Sequence, residues 1–240
     1  MFLYNYPIII LAIILVFSGV LVTSQLVNLT YAQDFSSLLY TPSDSPFGIP
    51  YGVWITKYWD WWANVPKTLT PTEQNYPCYT HDVGDVIFLV DPLKMSGEVT
   101  YSCNIPAGKA LFFSLVTSEY DTGIEGYEKA TDKQLIDAAR QDDNSNAFKV
   151  ILDGKVIPSD AIRNLRGESP FWNITIFKGN HYDSPLGVFR AFAEGFYIFL
   201  KPLSPGSHQL YYETSSPKSD FQVSPGGKIT YNLSVNSTGT

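Results

Sequence analysis

From Val53 to the end of the chain, turn signals recur every 8 to 15 residues. No segment between them repeats the strand, helix, strand rhythm of a parallel α/β sheet. A chain interrupted so often folds as short strands joined by turns, and the runs between the breaks read that way. Strands are expected at Asp85 to Val90, Gly97 to Ile105 and Ala110 to Val116, the last two joined by Pro106-Ala-Gly-Lys109. Phe148 to Leu152 and Lys155 to Ile157 flank Asp153-Gly154, a pair suited to a type I′ hairpin turn. Further strands are expected at Phe171 to Phe177, Val188 to Ala193, Phe196 to Lys201, Ser207 to Glu213 and Ile229 to Val235.

Two helices interrupt the series. Trp54, Tyr58, Trp61 and Val65 recur at helical spacing and Pro66 ends the run, predicting a helix from Val53 to Asn64. Thr131-Asp-Lys-Gln134 is a capping box that opens a second helix with Leu135, Ile136 and Ala139 on one face. The expected fold is a mainly β, antiparallel β-sandwich of jelly-roll or Ig-like kind, with two short helices and a single disulfide. Residues 53–240 form one domain in this reading, and the Ser, Pro and Gly rich residues 33–52 a flexible lead-in. Aromatic residues make up 15% of the chain and charged residues only 16%, which suits strands. A net charge of −7 with no basic run excludes nucleic acid as a partner.

Pro7 to Val22 is apolar without a charge, and Thr30-Tyr31-Ala32 is an acceptable small-x-small cleavage site before Gln33. Residues 1–32 therefore read as a signal peptide or a retained membrane anchor. Either way the rest of the chain is exported, extracellular or at the cell surface, and touches the membrane only through this segment. In an oxidising compartment the two cysteines, Cys78 and Cys103, suggest one disulfide, with a metal pair or two buried thiols as the competing readings. Glycosylation sequons stand at Asn173, Asn232 and Asn236, the last two on the polar face of the final strand.

Tyr58-Trp59-Asp-Trp61-Trp62, Cys78, Gly84-Asp-Val-Ile-Phe88-Leu89 and Cys103-Asn-Ile-Pro106-Ala-Gly-Lys-Ala-Leu-Phe-Phe113 resemble an uncharacterised family of exported prokaryotic proteins with no assigned activity. Leu203-Ser-Pro-Gly206-Ser-His208 is a looser echo. The resemblance spans Trp54 to Val116 and implies a shared β-sandwich and disulfide. It supplies no catalytic residue.

Three groups of residues are candidates for chemistry. Indole faces stack on sugars or bind cations; Trp54, Tyr58 and Trp61 fit a core stripe, which leaves Trp59 and Trp62 as the candidates for exposed contact. His81-Asp82 with Asp85, and His181-Tyr-Asp183, could ligate a metal or act as base and orienting partner. Glu119, Asp121, Glu125 and Glu128 could hold calcium, or serve as a glycosidase pair. No resident cofactor is otherwise expected, and His208 reads as a surface residue. The chain lacks G-x-S-x-G, HExxH, P-loop and G-x-G-x-x-G motifs. The expectation is a non-catalytic binding or structural module for a cell-surface glycan or protein. The alternative is a secreted metal-dependent or carboxylate-based hydrolase using His81, Asp82, Glu119 and Asp121; His81, Glu119 and His181 meeting in one cleft would favour it, and their scatter would count against it.

Overall fold

The computed structural model describes residues 35, 37–66, 78–90, 98–141, 147–180, 185–215 and 228–237. The expected signal or anchor and His181 lie outside these residues. The chain divides into two compact units, Met1–Ser37 and Leu38–Thr240, and the second holds every element below.

Its strands are β1 (Thr80–Val83), β2 (Val86–Leu89), β3 (Glu98–Ile105), β4 (Ala110–Asp121), β5 (Ala147–Leu152), β6 (Lys155–Ile157), β7 (Arg166–Glu168), β8 (Trp172–Ile176), β9 (Gly187–Leu200), β10 (Gly206–Ser215) and β11 (Lys228–Val235). The helices are α1 (Tyr51–Trp62), α2 (Asp132–Gln141) and α3 (Ser159–Arg163). One sheet runs β1-β2-β4-β9-β7, with β8 also paired to β9; the other runs β3-β11-β10-β5-β6. The expected mainly β sandwich is what forms. Its sheets are mixed, because β2 pairs β4 and β3 pairs β11 in parallel. Between β2 and β4 the chain crosses to the second sheet as β3, so it re-enters the first sheet in the direction it left.

The sheets meet through aromatic rings. Phe113 of β4 stacks on Tyr212 of β10 at 5.7 Å and meets Tyr231 of β11 at 6.3 Å, and Phe148 of β5 meets Phe196 of β9 at 4.6 Å. Tyr231 also donates its hydroxyl proton to the Val90 carbonyl. The Cys78–Cys103 disulfide ties the chain entering β1, an edge of the first sheet, to β3, an edge of the second. It clamps one side of the sandwich.

Helix α1 packs on the outer face of the first sheet and adds a third layer. Tyr51, Trp54 and Tyr58 rest on Phe88, Phe112 and Phe199. Two glycines allow so close an approach: a Cβ on Gly52 would lie 2.5 Å from the Glu168 carbonyl oxygen, and one on Gly167 2.9 Å from the Ile55 side chain. The lead-in is ordered on this scaffold from Leu38 onward, where Tyr40 N–H donates to the Phe199 carbonyl and Lys201 N–H to that of Leu38, both at 2.8 Å.

The two strands expected at 188–193 and 196–201 are one strand, β9. Gly195 bridges them at φ 136°, where a side chain would collide with the Val116 carbonyl oxygen at 2.4 Å, beside the register shift between Ser114 and Val116. The glycine accommodates a bulge and does not end the strand. Helix α2 begins with the expected capping box: Gln134 N–H donates to Thr131 Oγ1, and Thr131 N–H to Gln134 Oε1 at 2.9 Å. Asp153 and Gly154 both adopt positive φ, as a type I′ turn requires.

Candidate functional site

The aromatic segment is core on more than one stripe. Trp59 and Trp62, expected to be exposed, are each only 6% exposed, and the Trp59 indole N–H donates to the Tyr197 hydroxyl at 2.8 Å. The sheet beneath α1 is wide enough to bury both flanks of the helix. Trp61 is the half-buried member. Its ring stacks on Tyr79 at 5.8 Å and on His81 at 5.7 Å with planes only 7° apart.

The His81, Asp82 and Asp85 group lies on the β1–β2 hairpin. Partial burial against Trp61 lowers the His81 pKa, opposed by the charge of Asp82. Asp82 Oδ1 accepts from Lys109 Nζ at 3.1 Å, and Lys109 also donates to the Gly84 carbonyl. The Asp85 carbonyl accepts from Ala110 N–H at 2.9 Å. The Pro106-Ala-Gly-Lys109 turn thus pins the hairpin with its lysine and occupies the carboxylate that a metal or base role would need.

Glu119 and Asp121 lie at the far end of the same sheet. His81 pairs with Phe88 and Phe88 with Phe112, so Glu119 stands seven positions further along β4. At ~3.3 Å per residue that is on the order of 20 Å. His81 and Glu119 do not meet. Among the described residues, no three His, Cys, Asp or Glu side chains come together as a metal cluster.

At that far end a second constellation forms. Glu119 and Asp121 alternate onto one face of β4, and Asp60 of α1 approaches the same face. Burial raises the Glu119 pKa well above its ordinary value, and the charges of Asp121 and Asp60 raise it further. Its Oε1 is shut off from solvent and has no hydrogen-bond partner among the described residues. Burial also raises the pKa of Asp121, although the N–H groups of Gly123 and Ile124 oppose the shift. Asp60 is raised by burial too, against a hydrogen bond from the Trp172 indole at 3.0 Å and the charge of Lys57.

Asp121 opens into a cleft of about 540 Å³ lined by the loop Asp121 to Glu125, Glu128, Ile176, Pro185 and Phe189. One wall carries three carboxylates and the other is apolar. Gly123 lies so flat on the Phe189 ring that a Cβ there would come within 2.9 Å of it. Of this cleft, Asp121, Glu125 and Glu128 stand out in the sequence; Phe189 does not, because nothing local marks a strand residue as the neighbour of a distant loop. The sequon residues Asn173, Asn232 and Asn236 are all exposed.

No family model matches the chain, and no curated protein does. Among solved structures, one described as PbICP-C in complex with falcipain-2 is 11% identical and covers 64% of this chain and 100% of its own, with a TM-score of 0.25. The solution structure of amebosin is 8% identical, covers 58% of this chain and 97% of its own, and has a TM-score of 0.20. Likenesses this slight carry no argument. Among the described residues no helix is long and apolar enough to cross a membrane.

Proposed function

We propose that this chain is an exported, non-catalytic β-sandwich binding module, and that its contact surface is the cleft between the β4–α2 loop and the base of the β8–β9 hairpin. The observation that carries the reading is the cleft itself: a concave site with convergent carboxylates on one wall and Ile176, Pro185 and Phe189 on the other, held on a rigid strand end. The disulfide between Cys78 and Cys103 supports an oxidising, extracytoplasmic setting. The separation of His81 from Glu119 counts against the metal-dependent hydrolase. The residues resembling an exported prokaryotic family serve scaffold roles here, from the Trp59 indole in the core to Lys109 on its hairpin.

The test is a binding screen of the full chain, purified from an exporting host, against peptide and neutral glycan arrays, beside Glu125→Trp, which fills the cleft mouth. Ligands retained by the parent and lost by Glu125→Trp are expected. Retention of every ligand by the blocked variant overturns the reading. Turnover of a bound glycan that Asp121→Asn abolishes establishes the carboxylate hydrolase instead.

A further inference from the structure

We propose that the cleft takes a basic, amphipathic peptide segment of a partner protein, with a cationic side chain against Asp121, Glu125 and Glu128 and an apolar one against Phe189 and Ile176. This rests on the cleft being the contact surface. Among the described residues no Lys, Arg or His lines it, and Asp121, Glu125 and Glu128 form no ion pair there. Among the described residues Glu128 is engaged by the Gly126 N–H and Asp121 by the main chain of its own turn; neither contact supplies positive charge.

Glu119, two positions before Asp121 on β4, is held protonated by burial and by the charges of Asp121 and Asp60, so the negative charge of the wall is that of Asp121, Glu125 and Glu128. Burial raises the Asp121 pKa, so this carboxylate gains from a positive charge placed beside it. Such a wall is relieved by a cation brought in from outside. The facing apolar wall excludes a plain hydrated cation as the best fit. Ile176 and Phe189 contact the core beneath α1 and continue that core to the cleft surface. A neutral sugar would leave the carboxylates uncompensated, and an acidic segment would be repelled. A peptide alternating basic and apolar residues meets both walls at once.

The experiment is calorimetric titration of the full chain with a short peptide alternating Lys and Leu, with its Glu/Leu counterpart and with its Lys/Ser counterpart. The Lys/Leu peptide is expected to bind, and each counterpart about tenfold more weakly or not at all. Removing the two exposed charges in Glu125→Gln with Glu128→Gln is expected to weaken the Lys/Leu peptide about tenfold. Glu98→Gln with Asp160→Asn makes the same change in net charge at exposed positions elsewhere and is expected to leave binding intact. Absence of Lys/Leu binding overturns the proposal, as does an equal loss in the two double variants, which marks general attraction to an acidic protein. If the peptide fails while Glu125→Trp still abolishes binding of a neutral glycan, the occupant is wrong and the contact surface stands. If Glu125→Trp abolishes nothing, the contact surface itself falls.

Discussion

The indole N–H of Trp59 and the hydroxyl of Tyr197 lie 2.8 Å apart on the buried face between α1 and β9. Tyr197 is itself fully buried and stacks on Phe112 at 5.4 Å, so the pair joins the helix to the centre of the first sheet. Trp59→Phe keeps a ring but loses the donor and part of the volume, at a cost of about 2–4 kcal/mol. The melting temperature is expected to fall by roughly 5–10 °C. Ligand binding lost at an unchanged melting temperature would restore Trp59 as a contact residue.

The disulfide closes a loop with a sequence separation of 25 residues and joins an edge of each sheet. In the chain-entropy picture such a closure is worth about 3 kcal/mol. Cys78→Ala with Cys103→Ala is therefore expected to melt roughly 6–12 °C below the parent, and reduction of the parent should reproduce the shift. A reduced parent that melts with the oxidised one would show that the two edges hold without the bond.

Several elements were legible because local chemistry decided them. In β11, Ile229, Tyr231, Leu233 and Val235 alternate inward while Asn232 and Ser234 face out, and the capping box at Thr131 and the Asp153-Gly154 turn act within four residues. What the sequence withheld was non-local. Strand β1 carries the exposed His81 and Asp82 and has no apolar alternation of its own; pairing with β2 makes it a strand. Gly195 reads as a break until Val116 is seen opposite it. Trp59 and Trp62 lie off the stripe set by Trp54, Tyr58 and Trp61, and only the breadth of the sheet below explains their burial. The acidic residues of β4 were visible in the chain, while the approach of Asp60 and Phe189 depended on how α1 and β9 cross the strand.

His208 links two loops. Its Nδ1 lies 2.7 Å from Asp153 Oδ2 in the β5–β6 turn, and its Nε2 lies 2.8 Å from the Ser204 carbonyl before β10. Both partners are acceptors, so only the imidazolium can donate to both. Burial opposes the charge, but the Asp153 hydrogen bond, the Ser204 carbonyl and the Asp153 charge outweigh it and raise the pKa above 6.5. A raised folded-state pKa gives stability that is fully present below the unfolded value and is lost as pH rises through the folded one. His208→Gln is expected to destabilise by no more than about 1 kcal/mol at pH 6 and by less at pH 9, read from denaturant midpoints. An equal loss at both values would show that the contact does not depend on charge.

Glu119 contributes with the same sign for a different reason. Burial, then Asp121, then Asp60 keep its carboxyl protonated in the folded chain at pH values where the unfolded chain has ionised it. Below the unfolded pKa of ~4.3 both states hold the proton and there is no penalty. As pH rises past that point the unfolded state gains by releasing its proton, and the folded state loses ground until its own pKa is reached. Glu119→Gln carries a neutral side chain of the same shape at every pH, so it removes this loss. Its melting temperature is expected to match the parent near pH 4 and to exceed it at pH 8; each 1 kcal/mol regained is worth roughly 2–4 °C in a domain of this size. A variant less stable than the parent at pH 8 would mean that the Glu119 charge is held by a favourable partner, and the acidic wall would then need no cation from outside.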